Sequence, residues 1–246
     1  MKKIMEKLRH IKLGGNDWAS VGSICNLIRF DYPTIITGYP NKNYIVLVNN
    51  NDNLVNYIDV EAVKKNDEID FIRVNSSKQK LSIGPVLMSR DTLDWQIKNL
   101  GNRKKILSSF AKVLNRNGLN AHLREFGKRN DLVIINKEKE YKILGVLDIE
   151  NGFSGMLTLK WNEDIVRKYI KGWKEKSSTG WDIKGLWELT KKRFDIESEI
   201  VNQIAEDHNL ELFIDTLSEK ELKQIKEIRK YTNSSDWIFK NIKKLI

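Results

Sequence analysis

The chain is poor in the residues that build covalent or metal-held scaffolds. Its 246 residues include one cysteine, Cys25, and three histidines, His10, His122 and His208. A lone cysteine excludes an internal disulfide and a cysteine-rich metal site. The histidines form no pair of the H-x-x-x-H kind, which argues against a zinc centre. Proline occurs only three times and glycine fourteen, and no linker is evident. Long apolar runs are missing too. "YIVLV" and "DLVII" fall far short of the roughly 20 residues that span a bilayer. "MKKIMEKLRHIKLGG" has no continuous apolar core behind its basic residues, so it does not read as a signal peptide. The expectation is a cytoplasmic protein with no membrane partner.

What is present suits a packed α/β fold. Hydrophobic residues make up 40% and charged residues 31% of the chain, enough for a real core at this length. The formal net charge of +10 favours acidic partners such as nucleic acid, phosphorylated ligands or an acidic protein surface. A compositional abundance of Lys, Asn and Ile accounts for the charge equally well, because Asp and Glu are interleaved with the lysines. The clusters "KKRF" (191–194) and "GKR" (127–129) are too short to form a nucleic-acid groove. A nucleic-acid-binding module therefore rests on charge alone.

Hydrophobic periodicity divides the chain into a strand-rich first part and a helical last part. "YIVLVNNN", "EIDFIRVN" and "QKLSIGPVLMS" read as extended segments. From Lys104 the period changes: Ile106, Leu107, Phe110, Val113 and Leu114 share one helical face, and Gly118 is placed to end it. Strands are expected at 121–125, 132–135, 140–149 and 155–161, with Asn151-Gly152 in one of the turns. Beyond residue 163 helices return. Ile196, Ile200, Val201 and Ile204 share one face, and Ser218 with Glu221 forms a capping box, flanked by Leu217 and Leu222 as a hydrophobic staple.

One stretch raises a chemical question. In "GKRNDLVIINKEKEYKILG" (127–145), Lys142 lies between Tyr141 and Ile143 inside a strand. By composition alone it is an exposed lysine paired with Glu138 or Glu140, since lysines are nearly always solvated. Asn130-Asp131 reads equally as turn chemistry.

Several pieces, taken in order, resemble the catalytic domain of lipoate–protein ligase A, within the biotin/lipoate protein ligase superfamily. Arg129, Asn130, Asp131 and Leu132 match its G-R-N-D-L hairpin, and Lys142, Ile143 and Gly145 match the following K-I-S-G. "GFSGMLTL" is similar to the H-G-T-L-L-L strand, with Gly155 on its glycine. "LSEKELKQIKEIRKYTNSSDWIF" is similar to the closing helix and its K-Y-x-S-x-E-W-x-F end, through Tyr231, Trp237 and Phe239. The resemblance covers nearly the whole chain. It implies a class II synthetase-like α/β (α+β) fold, with mostly antiparallel mixed sheets flanked by helices. It also implies a single catalytic domain, 1–246, with no C-terminal accessory domain.

The implied activity is ATP-dependent activation of lipoate, or a related acid, as an acyl-adenylate, followed by transfer to a lysine of a carrier protein. Lys142 would be catalytic, supplying positive charge where the mixed anhydride develops negative charge. Arg129, Asn130 and Asp131 would bind nucleotide and Mg²⁺, with Asp131 the metal ligand. Arg73, Ser76, Ser77, Gly145 and Gly155 would line the acyl-adenylate. The implied partners are an acidic carrier, lipoyl-domain or glycine-cleavage-H-like, and a separate accessory subunit of the kind found in bipartite archaeal ligases.

The chain also departs from the pattern. The family loop R-R-x-S-G-G-G-A/T-V-x-H-D corresponds here to "IRVNSSKQKLSIGPVLMSRD", in which the triple glycine is replaced by residues with side chains. Each added Cβ obstructs close backbone approach. The I-G-R element is replaced around Val48 and Asn49. No cysteine follows the K-I-L-G strand, which argues against a thioester route. These departures give a second reading, a catalytically impaired relative acting as a binding or partner subunit.

Overall fold

A computed structural model describes residues 6–14, 25, 27–48, 58–59, 61–62, 65, 69–74, 86–88, 91–126, 129–149, 151–171, 182–190 and 192–232. Strands β1 (Lys7–Leu13), β2 (Thr34–Gly38) and β6 (Thr92–Lys98) combine with a four-strand meander. The meander is β7 (Asn120–Phe126), β8 (Arg129–Asn136), β9 (Lys139–Ile149) and β10 (Gly152–Thr158). With β12 (Glu211–Asp215) they form one sheet in the order β12-β1-β2-β6-β10-β9-β8-β7, and β11 (Asp182–Ile183) joins along β9. Pairing is antiparallel from β2 to β7, while β12, β1 and β2 run parallel and β11 runs parallel to β9. A second sheet has the order β4-β3-β5, from β3 (Asn43–Val48), β4 (Ile69–Val74) and β5 (Val86–Met88).

Five helices complete the described elements: α1 (Arg103–Arg116), α2 (Glu163–Tyr169), α3 (Leu186–Leu189), α4 (Ile196–His208) and α5 (Glu219–Thr232). The expected apolar stripe of α1 is buried, its first turn is capped by the Asn102 side chain, and Gly118 follows at φ +82. Only a residue tolerant of the left-handed region leaves a helix this way. Asp195 caps α4 by accepting from the Ser198 amide. Ser218 and Glu221 form the reciprocal box at the start of α5, with the Ser218 amide donating to Glu221 at 2.7 Å and the Glu221 amide to Ser218 Oγ at 3.3 Å. The staple differs from expectation: Leu217 packs on the core, whereas Leu222 is 47% exposed.

Two apolar clusters sit on opposite faces of the large sheet. One joins Leu8, Ile35, Trp95, Leu132 and Leu144 to α1 and α4. The other joins Ile11, Ile36, Phe30 and Cys25 to Tyr44 of the second sheet and Ile225 of α5, with Met156 packed against it. Being covered on both faces, strand β6 is buried at every position. The sequence reading found no strand at 92–98, and it began β10 at 155 rather than at Gly152. The missing residues belong to β10 because pairing with β9 already begins at Gly152, opposite Ile149, directly after Asn151 at φ 55. Gly152 must be glycine there, since a Cβ would sit 1.9 Å from the Ile97 carbonyl oxygen. Among the described residues, no helix is long and apolar enough to cross a membrane.

Candidate functional site

The hairpin β8–β9 carries most of the residues singled out in the sequence. Its register slips once: Leu132 faces Leu144 and Val133 faces Lys142, leaving Ile143 as the extra residue of a β-bulge. Without a bulge, strict alternation would place Lys142 and Leu144 on the same face. The slip lets Ile143 and Leu144 both enter the helix-covered core while Lys142 emerges on the opposite face. There its Nζ lies 2.9 Å from Asp131 Oδ1, with side-chain exposures of 21% and 8%.

This pairing replaces the one expected from sequence proximity. Glu140 binds elsewhere, to the Arg124 guanidinium and, at 3.5 Å, to His122 Nε2. Glu138 stands in the exposed turn at φ 64. Arg124 is directly across from Asp131 on β7, yet Glu140 draws its charge away. Lys142 and Asp131 thus form a discrete pair of opposite charges, partly withdrawn from water, where Coulomb attraction is stronger than on an open surface.

Gly145 and Gly155 differ in kind. Gly145 pairs with Met156, and a Cβ built on it meets no atom of the described residues within 4 Å. Among the described residues nothing fills the space above Gly145, on the face that also carries Lys142. Gly155 faces the other way. Its Cβ would fall 2.4 Å from the Trp95 ring, which stacks on Phe110 of α1 at 5.0 Å. Gly155 is a close-packing glycine under α1, and no side chain placed there would reach Lys142's face.

The remaining predicted residues separate. Arg129 and Asn130 lie in β8 opposite Phe126 and Glu125, adjoining Asp131 in the chain. Arg73 lies in the second sheet, across from Leu47 of β3. Ser76 and Ser77, like Asn49 and Trp237, fall outside the described residues, and so does the segment that replaces the triple glycine.

A buried polar row on β6 was missed by the sequence reading. Thr92, Asp94, Gln96 and Lys98 alternate with Leu93, Trp95 and Ile97, and all seven are buried. Asp94 pairs across to Met156, which pairs to Gly145, so its carboxylate belongs to the same face as Lys142. Two strand spacings separate Asp94 from Gly145, about 10 Å. The period-two pattern of "TLDWQIK" was the available signal. It identifies a strand, but reads as solvent-facing on its polar side.

Asp131 is the carboxylate beside Lys142 that could hold a cation. Among the described residues no group of three His, Cys, Asp or Glu side chains converges. Mg²⁺ commonly uses one or two carboxylates and completes its shell with water and phosphate oxygens, and Asp131 supplies one such carboxylate.

No protein-family model and no curated protein matches the chain. Solved structures do match. The bipartite lipoate protein ligase of Thermoplasma acidophilum, reported with its E2 lipoyl domain, superimposes with a TM-score of 0.73 at 16% identity, over 96% of each chain. The T. acidophilum protein Ta0514 with bound lipoic acid gives 0.71 at 15% identity, over 96% of this chain and 99% of that one. A lipoate-protein ligase A bound with ATP gives 0.71 at 16% identity, over 95% and 98%. The likeness extends from the meander through the helices rather than resting on one motif, and the mixed, mostly antiparallel sheet with flanking helices is the arrangement shared. The chain has the lipoate–protein ligase fold.

Proposed function

We propose that residues 1–246 act as a lipoate–protein ligase-like catalytic domain, using ATP to activate lipoate or a related acid and passing it to a carrier lysine. The observation that carries this reading is the Lys142–Asp131 pair on the face where Gly145 meets no described atom, in a fold shared with ligases over almost the whole chain. In the first step a carboxylate oxygen of the acid attacks the α-phosphorus of ATP, and pyrophosphate leaves. In the second, the neutral amine of the carrier lysine attacks the acyl carbonyl, AMP leaves, and the amine proton is lost. Mg²⁺, when bound, neutralises phosphate charge. Lys142 faces the oxygens where charge accumulates, and its fixed position on β9 removes the need to reorganise at that moment. Asp131 and Asn130 serve the nucleotide side, with Arg129 beside them in β8. Arg73, Ser76 and Ser77 serve the acyl-adenylate.

The test is incubation with Mg–ATP, lipoate and a purified lipoyl domain or glycine-cleavage-H-type carrier, followed by intact mass of the carrier. A lipoyl adduct on one carrier lysine, lost in Lys142→Ala, is the expected result. The substitution of "SSKQKLSIG" for the triple glycine favours the second reading, an impaired relative that binds without catalysing. That reading predicts bound lipoate with no acyl-adenylate formed. Adenylate without carrier modification instead indicates a required accessory subunit. The +10 charge suits an acidic carrier surface, and carrier affinity should then fall as salt rises.

A further inference from the structure

Resting on the reading above, we infer that Asp131 latches Lys142 in the ligand-free protein, and that a metal-bound nucleotide releases it. Nucleotide and acid would then bind cooperatively, with the nucleotide favoured first.

The geometry supplies the argument. Asp131 is buried, and its Oδ1 is 2.9 Å from Lys142 Nζ. The nearest alternative cation by register, Arg124, is committed to Glu140, which also engages His122. The ammonium is therefore already neutralised where an incoming carboxylate must use it. An acid approaching Lys142 alone competes with Asp131 and meets its like charge in a partly desolvated setting, where repulsion is strong. The balance reverses when a divalent cation arrives with its phosphates. Among the described residues Asp131 is the carboxylate in contact with Lys142, and one anionic oxygen cannot serve both partners at full strength. Transfer of Asp131 to the metal frees Lys142 for the acid carboxylate and the α-phosphate.

The bulge makes this exchange local. Ile143, the extra residue, is buried in the helix-covered core beside Leu144. The backbone under Lys142 is thereby pinned, and only the flexible lysine stem moves between partners. By linkage, whatever factor the nucleotide adds to acid affinity, the acid must add to nucleotide affinity.

Two measurements decide between latch and independent binding. The first is lipoate affinity by calorimetry, without and with saturating Mg²⁺ and α,β-methylene-ATP, which cannot transfer its adenylyl group. Nucleotide should tighten lipoate binding by about tenfold, within the usual range of coupling. Asp131→Asn should bind lipoate without nucleotide several-fold more tightly than the wild type does. The second does not need the acid: the rate of reductive methylation of Lys142, followed by peptide mass spectrometry. It should rise several-fold when Mg²⁺ and the analogue are added, and should already be raised in ligand-free Asp131→Asn.

If lipoate and nucleotide both bind but independently, and Lys142 reactivity is unchanged, the latch is overturned while the ligase reading stands. If neither ligand binds, both are overturned. Should Asp131→Asn fail to fold, the wild-type coupling and labelling still support or overturn the latch.

Discussion

Two ion-paired sites on the large sheet use the same chemistry to different ends. Arg9, on β1, is buried among oxygen acceptors. It donates to both oxygens of Glu221 at 2.6 and 3.0 Å, donates to the Thr216 carbonyl, and lies 2.8 Å from Asp215. Glu221 in turn closes the capping box of α5 with Ser218. Among the described residues Lys142 has one such partner, and it keeps a fifth of its side chain in contact with solvent. A cation surrounded by acceptors ties β1, β12 and α5 together and has no capacity for a ligand. A cation with a single partner beside open space can exchange it. The difference separates scaffold from site better than burial or charge does alone.

The largest expected effects come from breaking the first network. Arg9→Met leaves Glu221 and Asp215 without their cation, and should cost about 3–5 kcal/mol of stability, the range for breaking one side of a buried pair. A urea midpoint measures this. Replacing Lys142 and Asp131 together, by Met and Asn, should cost less than about 1 kcal/mol, because no unpaired charge remains. Equal losses at the two sites would erase the distinction drawn between them.

The same network makes stability depend on pH. Burial opposes ionisation of Glu221, but hydrogen bonds from Arg9 and Ser218 outweigh it and hold the carboxyl below its ordinary value of 4.5. A depressed carboxyl pKa contributes stability that is fully present above the unfolded value and is lost as pH falls through the folded one. The gap between wild type and Glu221→Gln should therefore be widest near neutral pH and close below pH 4.5. A gap that stays constant through that acid range would remove Glu221's charge from the account.

The two glycines of the meander extend the comparison to packing. Gly155→Ala drives a methyl to within 2.4 Å of Trp95 and 2.8 Å of the Gly145 carbonyl oxygen. It should destabilise by about 1–3 kcal/mol, as overpacking does. Gly145→Ala meets no described atom, and should leave stability within about 0.5 kcal/mol or raise it, since alanine restricts the unfolded chain. Under the proposed function the order inverts for ligand binding. A larger residue at 145, such as Leu, should weaken lipoate binding while Gly155→Ala leaves it nearly unchanged in the folded fraction.

These contrasts mark what could and could not be read from the chain. The stripe of α1, the capping box of α5 and the meander announce themselves because periodicity and capping act over a few residues, and tertiary packing agrees with them here. Strand β6 also carries its period, in "TLDWQIK". Its burial on both faces depends on the second apolar cluster, assembled from residues far apart in sequence. The hairpin containing Lys142 was legible, but not the partner. Sequence distance favours Glu138 or Glu140, whereas the bulge at Ile143 and the competition from Arg124 and His122 for Glu140 select Asp131. A one-residue register slip leaves no mark in composition. The opposite orientations of Gly145 and Gly155 follow from pairing register in the same way.

A further small effect is expected at the turn that joins β8 to β9. Lys137 and Glu138 connect β8 to β9 as a two-residue loop with φ of 50 and 64. Both are in the left-handed region, the type I′ geometry whose twist matches a hairpin. Neither side chain favours that region, and each costs roughly 1 kcal/mol relative to residues that do. Replacing the pair with Asn-Gly relieves the strain, but glycine enlarges the entropy of the unfolded chain and offsets part of the gain. The net expectation is an increase of about 0.5–1 kcal/mol, read as a raised urea midpoint at unchanged m-value. The exposed turn carries none of the Lys142–Asp131 contact, so lipoate affinity should not move. If affinity falls as stability rises, the hairpin's strain is coupled to the position of Lys142. The pair would then belong to scaffold and site at once.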